Sequence, residues 1–132
     1  VYHTNVVMSV SENLVFICLD AIVNDNKKEQ LLSSFNDTNK EIVNISPYQM
    51  QHFLGNVLEL KNNYNESFLV MSTTAFESLD NSQIDTINKK SQILHSSLNT
   101  IEYFGGGSAR CMIAEVFLEP NFNPKLKLPI VS

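Results

Sequence analysis

The chain has 132 residues, the length of one ordinary domain, and its 43% hydrophobic and 17% charged residues suffice for a packed core and exclude a disordered chain. A net charge of −5 with nine scattered Lys and Arg excludes a nucleic-acid surface, and no apolar run is long enough for a membrane span. Two cysteines at unrelated positions, with no signal-peptide pattern, exclude a disulfide framework and point to a reducing, cytoplasmic setting.

In chain order, "HTNVVMSV" alternates and is rich in β-branched residues, which predicts a strand. "NLVFICLDAIV" reads as a longer buried strand. "NDNKKEQLLSSF" opens on Asn and Asp caps and puts Leu31, Leu32 and Phe35 on one helical face. "KEIVNIS" is a strand, and "SPYQMQHFLG" a short helix entered through Ser-Pro and closed by Gly55. The order then recurs. "NVLELKN" and "SFLVMST" are strands joined by a turn at "NYNE". "TAFESLDNSQIDTINKK" is helical in two pieces, broken near Asp80-Asn81. "QILHSS" is a strand, and "LNTIEYFGGG" a short helix ending in glycine. A last strand comes after it, "CMIAEVFL".

The pattern is a repeat of about fifty residues, and such repeats stack side by side or ring an axis. It divides a single domain into units 1–55 and 56–110, a closing strand 111–118 and a tail 119–132. Aligned, the first strands of the units place Asn5, Asn56 and Cys111 at equivalent positions, each heading its strand. Units arranged about an axis would bring these three together at one end, with His3 alongside. The run Gly105-Gly106-Gly107 is extra backbone inserted at that meeting point. Glycine serves a positive φ or a close approach, so a ligand site is expected there.

A cysteine and a histidine distant in sequence but convergent in space form a nucleophile pair. Cys111 would supply the thiolate and His3 the proton, with glycine N–H groups close to the sulfur. Arg110, beside Cys111, is a candidate for tuning the thiol or recognising a carboxylate, and equally an ion-pair partner. Cys18 lies in an apolar run and reads as core. His52, in a short helix before Gly55 and near the presumed axis, is a minor candidate for touching ligand; His95 reads as structural, as do Glu59 and Glu115, carboxylates of two equivalent strands. No residues stand at metal-ligand spacing, and the glycines lack the Lys-Ser or Lys-Thr of a phosphate loop, so neither metal nor cofactor is called for.

"GGGSARCMIAEVFL" resembles the end of the guanidine-modifying superfamily of arginine deiminases, dimethylarginine hydrolases and amidinotransferases. "YHTNVVMSV" is similar to its His-x-Asp segment. "ISPYQMQHFLGNVLEL", "LVMSTTAFESL" and "TIEYFGGGSARCM" are most similar to the amidinotransferase-related, citrulline-utilisation branch. The resemblance implies an α/β propeller (the pentein type) of five ββαβ units, of which this chain holds about two and a half. It implies catalysis by Cys111 and His3 on a small guanidino substrate such as arginine, through a covalent thiouronium released to water or to an amine. Asn5, Asn56, Gly105, Gly106, Gly107, Ser108 and Arg110 become the expected substrate-binding residues. The chain carries His3-Thr4-Asn5 where the family has His-x-Asp, and the family's other acids precede the histidine. The chain is therefore expected to be a C-terminal half, completed by the missing N-terminal half or by a second copy. The competing reading is a non-catalytic, propeller-derived binding protein.

Overall fold

The computed structural model describes residues 3–116. They form a mixed α/β structure with two three-stranded sheets. A helical turn, α1 (Thr4–Val7), leads into β1 (Met8–Val10), β2 (Leu14–Ile17), α2 (Asp25–Asp37), β3 (Glu41–Asn44) and the short α3 (Pro47–Gln51). The second unit runs β4 (Leu58–Lys61), β5 (Ser67–Ser72), α4 (Thr73–Glu77), α5 (Asn81–Asn88), β6 (Gln92–Ser96) and α6 (Asn99–Gly105), before a final turn α7 (Ala109–Met112). Each sheet pairs its first two strands antiparallel and its last two parallel, as the repeat requires. The parallel pair needs a crossover, supplied by α2 in one unit and by α4 and α5 in the other.

Local chemistry sets the helix starts. Asn24 accepts from the Lys27 N–H at the head of α2. Ser46 and Asp80 each open a capping box, closed by Gln49 and Gln83. These two glutamines also join the units. Gln49 Nε2 donates to Gln83 Oε1 at 2.7 Å and to the Ser78 carbonyl at 2.8 Å. Gln83 Nε2 donates to Gln49 Oε1 at 3.2 Å and to the Asn44 carbonyl at 3.1 Å. Two buried amides, each donating to the other and to a backbone carbonyl of the other unit, fix the register of one unit on the next.

The core has the same two-level organisation. Val15 and Ile17 face Phe35, Leu31 and Ile42 under α2. The alternate residues Leu14 and Phe16, with Val43, share a cluster with Leu69, Met71, Ala75 and Ile87 of the second unit. A strand buried on both faces reads as a continuous apolar run, which is why "LVFI" lacks alternation. Cys18 is fully buried in the inter-unit cluster, as core.

Three expectations need correction. Thr4–Val7 is a helical turn, so the first strand starts at Met8. Tertiary contact overrides β-propensity here: the Val6 and Val7 backbone lies directly against Gly55, and the Cys18 N–H donates to the Val7 carbonyl at 3.1 Å. The second strand stops at Ile17 and gives way to a 3-10 turn at Leu19–Ala21. "CMIAEVFL" begins inside α7, and residues 113–116 have no strand partner among the described residues. β1 and β4 each pair with the next strand along the chain. The remainder of the expected closing strand, Phe117 and Leu118, lies outside the described residues, as does the tail 119–132.

Glu59 ties the turn after β1 to β4. Its carboxylate accepts from the Glu12 N–H at 2.8 Å and the Ser91 hydroxyl at 3.1 Å. Partial burial by itself raises the carboxyl pKa, but the Glu12 N–H and the hydroxyls of Ser67, Ser11 and Ser91 outweigh it and hold Glu59 below its ordinary value. A depressed carboxyl stabilises the fold above its unfolded pKa, and the contribution is lost as pH falls through the folded value. Glu59→Gln should therefore destabilise by about 1 kcal/mol at neutral pH, allowing for solvent screening. The gap to wild type should close below about pH 4. Urea melts across pH check this, and a gap that ignores pH would remove the carboxylate from the account.

Candidate active site

Cys111 is the third residue of α7, and its side chain is exposed. Its Sγ accepts hydrogen bonds from Asn56 Nδ2 at 3.2 Å and Asn5 Nδ2 at 3.6 Å. The three positions matched by the repeat thus meet at one sulfur atom. They do so from different elements, since Asn5 and Cys111 sit in helical turns while Asn56 stands just before β4. Asn56 is only 1% exposed and joins all three segments. Its Nδ2 also donates to the Asn5 carbonyl at 2.7 Å, its Oδ1 accepts from the Ser108 N–H at 2.9 Å, and its carbonyl accepts from the Arg110 N–H at 3.3 Å.

The three glycines have three different environments. Gly106 ends α6 with φ at 65°, a left-handed conformation that suits glycine. Gly107 is a close approach: a Cβ there would lie 2.7 Å from Cys111 Sγ and 3.0 Å from its Cβ. Gly105 needs neither, for it ends α6 without positive φ and an added Cβ would meet only Ile101 Cγ2, at 3.9 Å. Their N–H groups do not gather at the sulfur as expected. The Gly106 N–H is taken by the Glu102 carbonyl at 3.2 Å, and the donors at the thiol are the two asparagine amides.

His3 opens α1 and enters the same space. An open cleft of about 320 Å³ is lined by His3, Asn5, Val6, the three glycines and Cys111. Asn5 Oδ1 is buried and has no hydrogen-bond partner among the described residues, an acceptor left free beside the thiol.

Other candidates stand elsewhere. Ser108 is fully buried, with its hydroxyl donating to Glu102 Oε1 at 2.7 Å and its N–H held by Asn56, so it positions the loop and is closed to substrate. Arg110 lines a different cavity, with Glu12, Glu59, Lys61 and Glu115, because the helical turn at Ala109–Met112 directs adjacent side chains apart. His52 packs at a tilt of 33° against the Tyr48 ring and its Nδ1 lies 2.7 Å from the Tyr48 carbonyl. His95 stacks on Phe76 and bonds Thr73. Among the described residues no cluster could hold a metal ion, and no helix is long and apolar enough to cross a membrane.

Two residues of the site were not foreseen. Gly55 lets the backbone of Val6 and Val7 approach so closely that a Cβ would sit 2.2 Å from the Val6 carbonyl oxygen. Glu102 anchors Ser108 from inside α6. Gly55 carried a signal, since a glycine heading the Asn56 segment admits a close approach as well as a helix stop. Glu102 carried none beyond its place six residues before Ser108.

No curated protein matches the chain significantly. A family model described as N,N dimethylarginine dimethylhydrolase, eukaryotic, matches residues 1–118, which include His3, Asn5, Asn56 and Cys111. Of the three groups the sequence resembles, the match falls on the hydrolases of guanidino C–N bonds. With nearly the whole chain covered, the protein belongs to the N,N-dimethylarginine dimethylhydrolase family.

Proposed function

We propose that the protein hydrolyses a guanidino C–N bond of arginine or an N-methylated arginine through Cys111. The observation that carries this reading is the meeting of Asn5, Asn56 and Cys111 at one sulfur, with His3 in the same cleft. Cys111 gives its thiol proton to His3, and the thiolate attacks the guanidinium carbon so that a C–S bond forms. The C–N bond to the departing amine breaks as His3 gives that nitrogen a proton, leaving a thiouronium on the protein. Water then loses a proton to His3 and attacks the same carbon. The C–S bond breaks, His3 returns its proton to the departing sulfur, and a ureido product leaves. The asparagine amides aim the sulfur, and Asn5 Oδ1 accepts from a substrate N–H.

A guanidinium cation calls for carboxylates, and no Asp or Glu lines the thiol cleft among the described residues. We place these acids on further units of an α/β propeller, either in this chain's own protein or in a second copy. Support comes from the second sheet. Phe16 and Val43 of the first sheet are covered by the second unit, whereas their repeat equivalents Val70 and Leu94 line an open apolar pocket. A cytoplasmic setting would keep the exposed thiol reduced.

The test is incubation with N,N-dimethylarginine and with arginine. A covalent adduct on Cys111 by intact mass is expected, with release of a ureido acid and dimethylamine or ammonia. An amidino group passed to added amine in preference to water would make the protein an amidinotransferase. No adduct and no product from any guanidino compound would favour a binding protein, the reading that Asn5 in place of an acid supports.

A further inference from the structure

A second cleft of about 620 Å³ adjoins the thiol cleft and shares His3, Val6, Gly105 and Gly106 with it. Its remaining wall is Met50, Gln51, Phe53, Tyr103 and Phe104, the last two largely exposed side chains at the rim. Among the described residues no Asp, Glu, Lys or Arg lines it. It therefore suits an uncharged apolar group, and a charged amino-acid head would find no ion partner there.

Two residues shape the cleft. Phe53 follows the end of α3 at φ 64°, the left-handed turn closed by the Leu54 N–H on the Gln49 carbonyl at 3.0 Å, and this turn places Phe53 in the wall. Gly105 is the last residue of α6, where alanine is the better helix former, and neither positive φ nor a neighbouring atom demands glycine. Gly105 itself lines both clefts.

Building on the hydrolase reading, we infer that this aromatic cleft is a subsite for an apolar nitrogen substituent of benzyl size on the guanidino substrate, with Gly105 as the steric gate between it and the thiol. A guanidinium carbon at Cys111 would send one substituent past Gly105 toward Phe53 and Phe104. The volume exceeds what methyl groups need.

Calorimetric binding of methylguanidine and benzylguanidine to the protein tests this without requiring turnover. Benzylguanidine should bind at least about tenfold more tightly, as burial of a ring predicts. Gly105→Ala should raise the melting temperature by roughly 2–5 °C yet cut the affinity ratio to about threefold or less. Phe53→Asn, which suits the left-handed backbone but removes the ring, should cut the ratio too. Equal affinities, no binding of either compound, or a ratio untouched by both substitutions would overturn the subsite. Preference without turnover of any guanidino compound would defeat the hydrolase reading and leave the subsite standing.

Discussion

Gly55→Ala is expected to destabilise the protein by about 3 kcal/mol, at the upper end of overpacking effects, and to cost turnover beyond the loss of folded material. The added Cβ would stand 2.2 Å from the Val6 carbonyl oxygen and 3.0 Å from the Val7 carbonyl carbon. Both are backbone atoms, so no side-chain rotation relieves the clash. The Val6–Val7 backbone is itself tied down, through the His3 carbonyl on one side and the Cys18 N–H on the other. Something must move, and the segment nearest to moving is α1, which carries Asn5 and begins directly after His3. The substitution should thus weaken the fold and detach two site residues from Cys111 at once. Urea melts report the first effect. The rate at which a small alkylating agent modifies Cys111 reports the second, since Asn5 would leave the sulfur. Wild-type stability in Gly55→Ala would mean that α1 does not rest on Gly55.

The repeat was legible because it is written in periodicity, and periodicity reflects packing. "LVFI" reads as buried on both faces, and the second unit buries one of them. Ser46-Pro47 and Asp80-Asn81 read as helix starts because capping needs only nearby residues. What was not legible depends on contacts between distant segments. Thr4–Val7 has the composition of a strand and becomes a turn because Gly55, far along the chain, presses on it. Residues 111–118 read as a strand for the same compositional reason, but a strand exists only with a partner to bond to, and 113–116 have none among the described residues. The site divides in the same way. The equivalence of Asn5, Asn56 and Cys111 came from the repeat, and all three converge. Arg110 was carried along only by standing next to Cys111, and adjacent residues of a helical turn do not share a face. Ser108 was expected to touch substrate only through the family resemblance, yet its polar groups are spent on Glu102 and Asn56.

Cys111→Ser should abolish turnover, a loss on the order of 10⁴-fold or more, because a hydroxyl is a far weaker nucleophile and His3 is the only other titratable side chain lining the cleft among the described residues. That result alone shows only that the sulfur is needed. Gly107→Ala asks whether its position matters. A Cβ at residue 107 would lie 2.7 Å from Sγ, closer than any methyl group can stay, so the thiol must swing aside or α7 must shift. Either movement breaks the 3.2 Å bond from Asn56, and Asn56 is too tightly held by Ser108 and Asn5 to move with it. Displacing a reacting atom by about 1 Å costs roughly 10²-fold in rate. Gly107→Ala should therefore lower kcat by about two orders of magnitude while the thiol stays present and titratable by Ellman's reagent. KM should move much less, because the other residues lining the cleft are untouched. A rise in KM at constant kcat would mean that Gly107 shapes the substrate's seat, and that the asparagine amides do not set the line of attack.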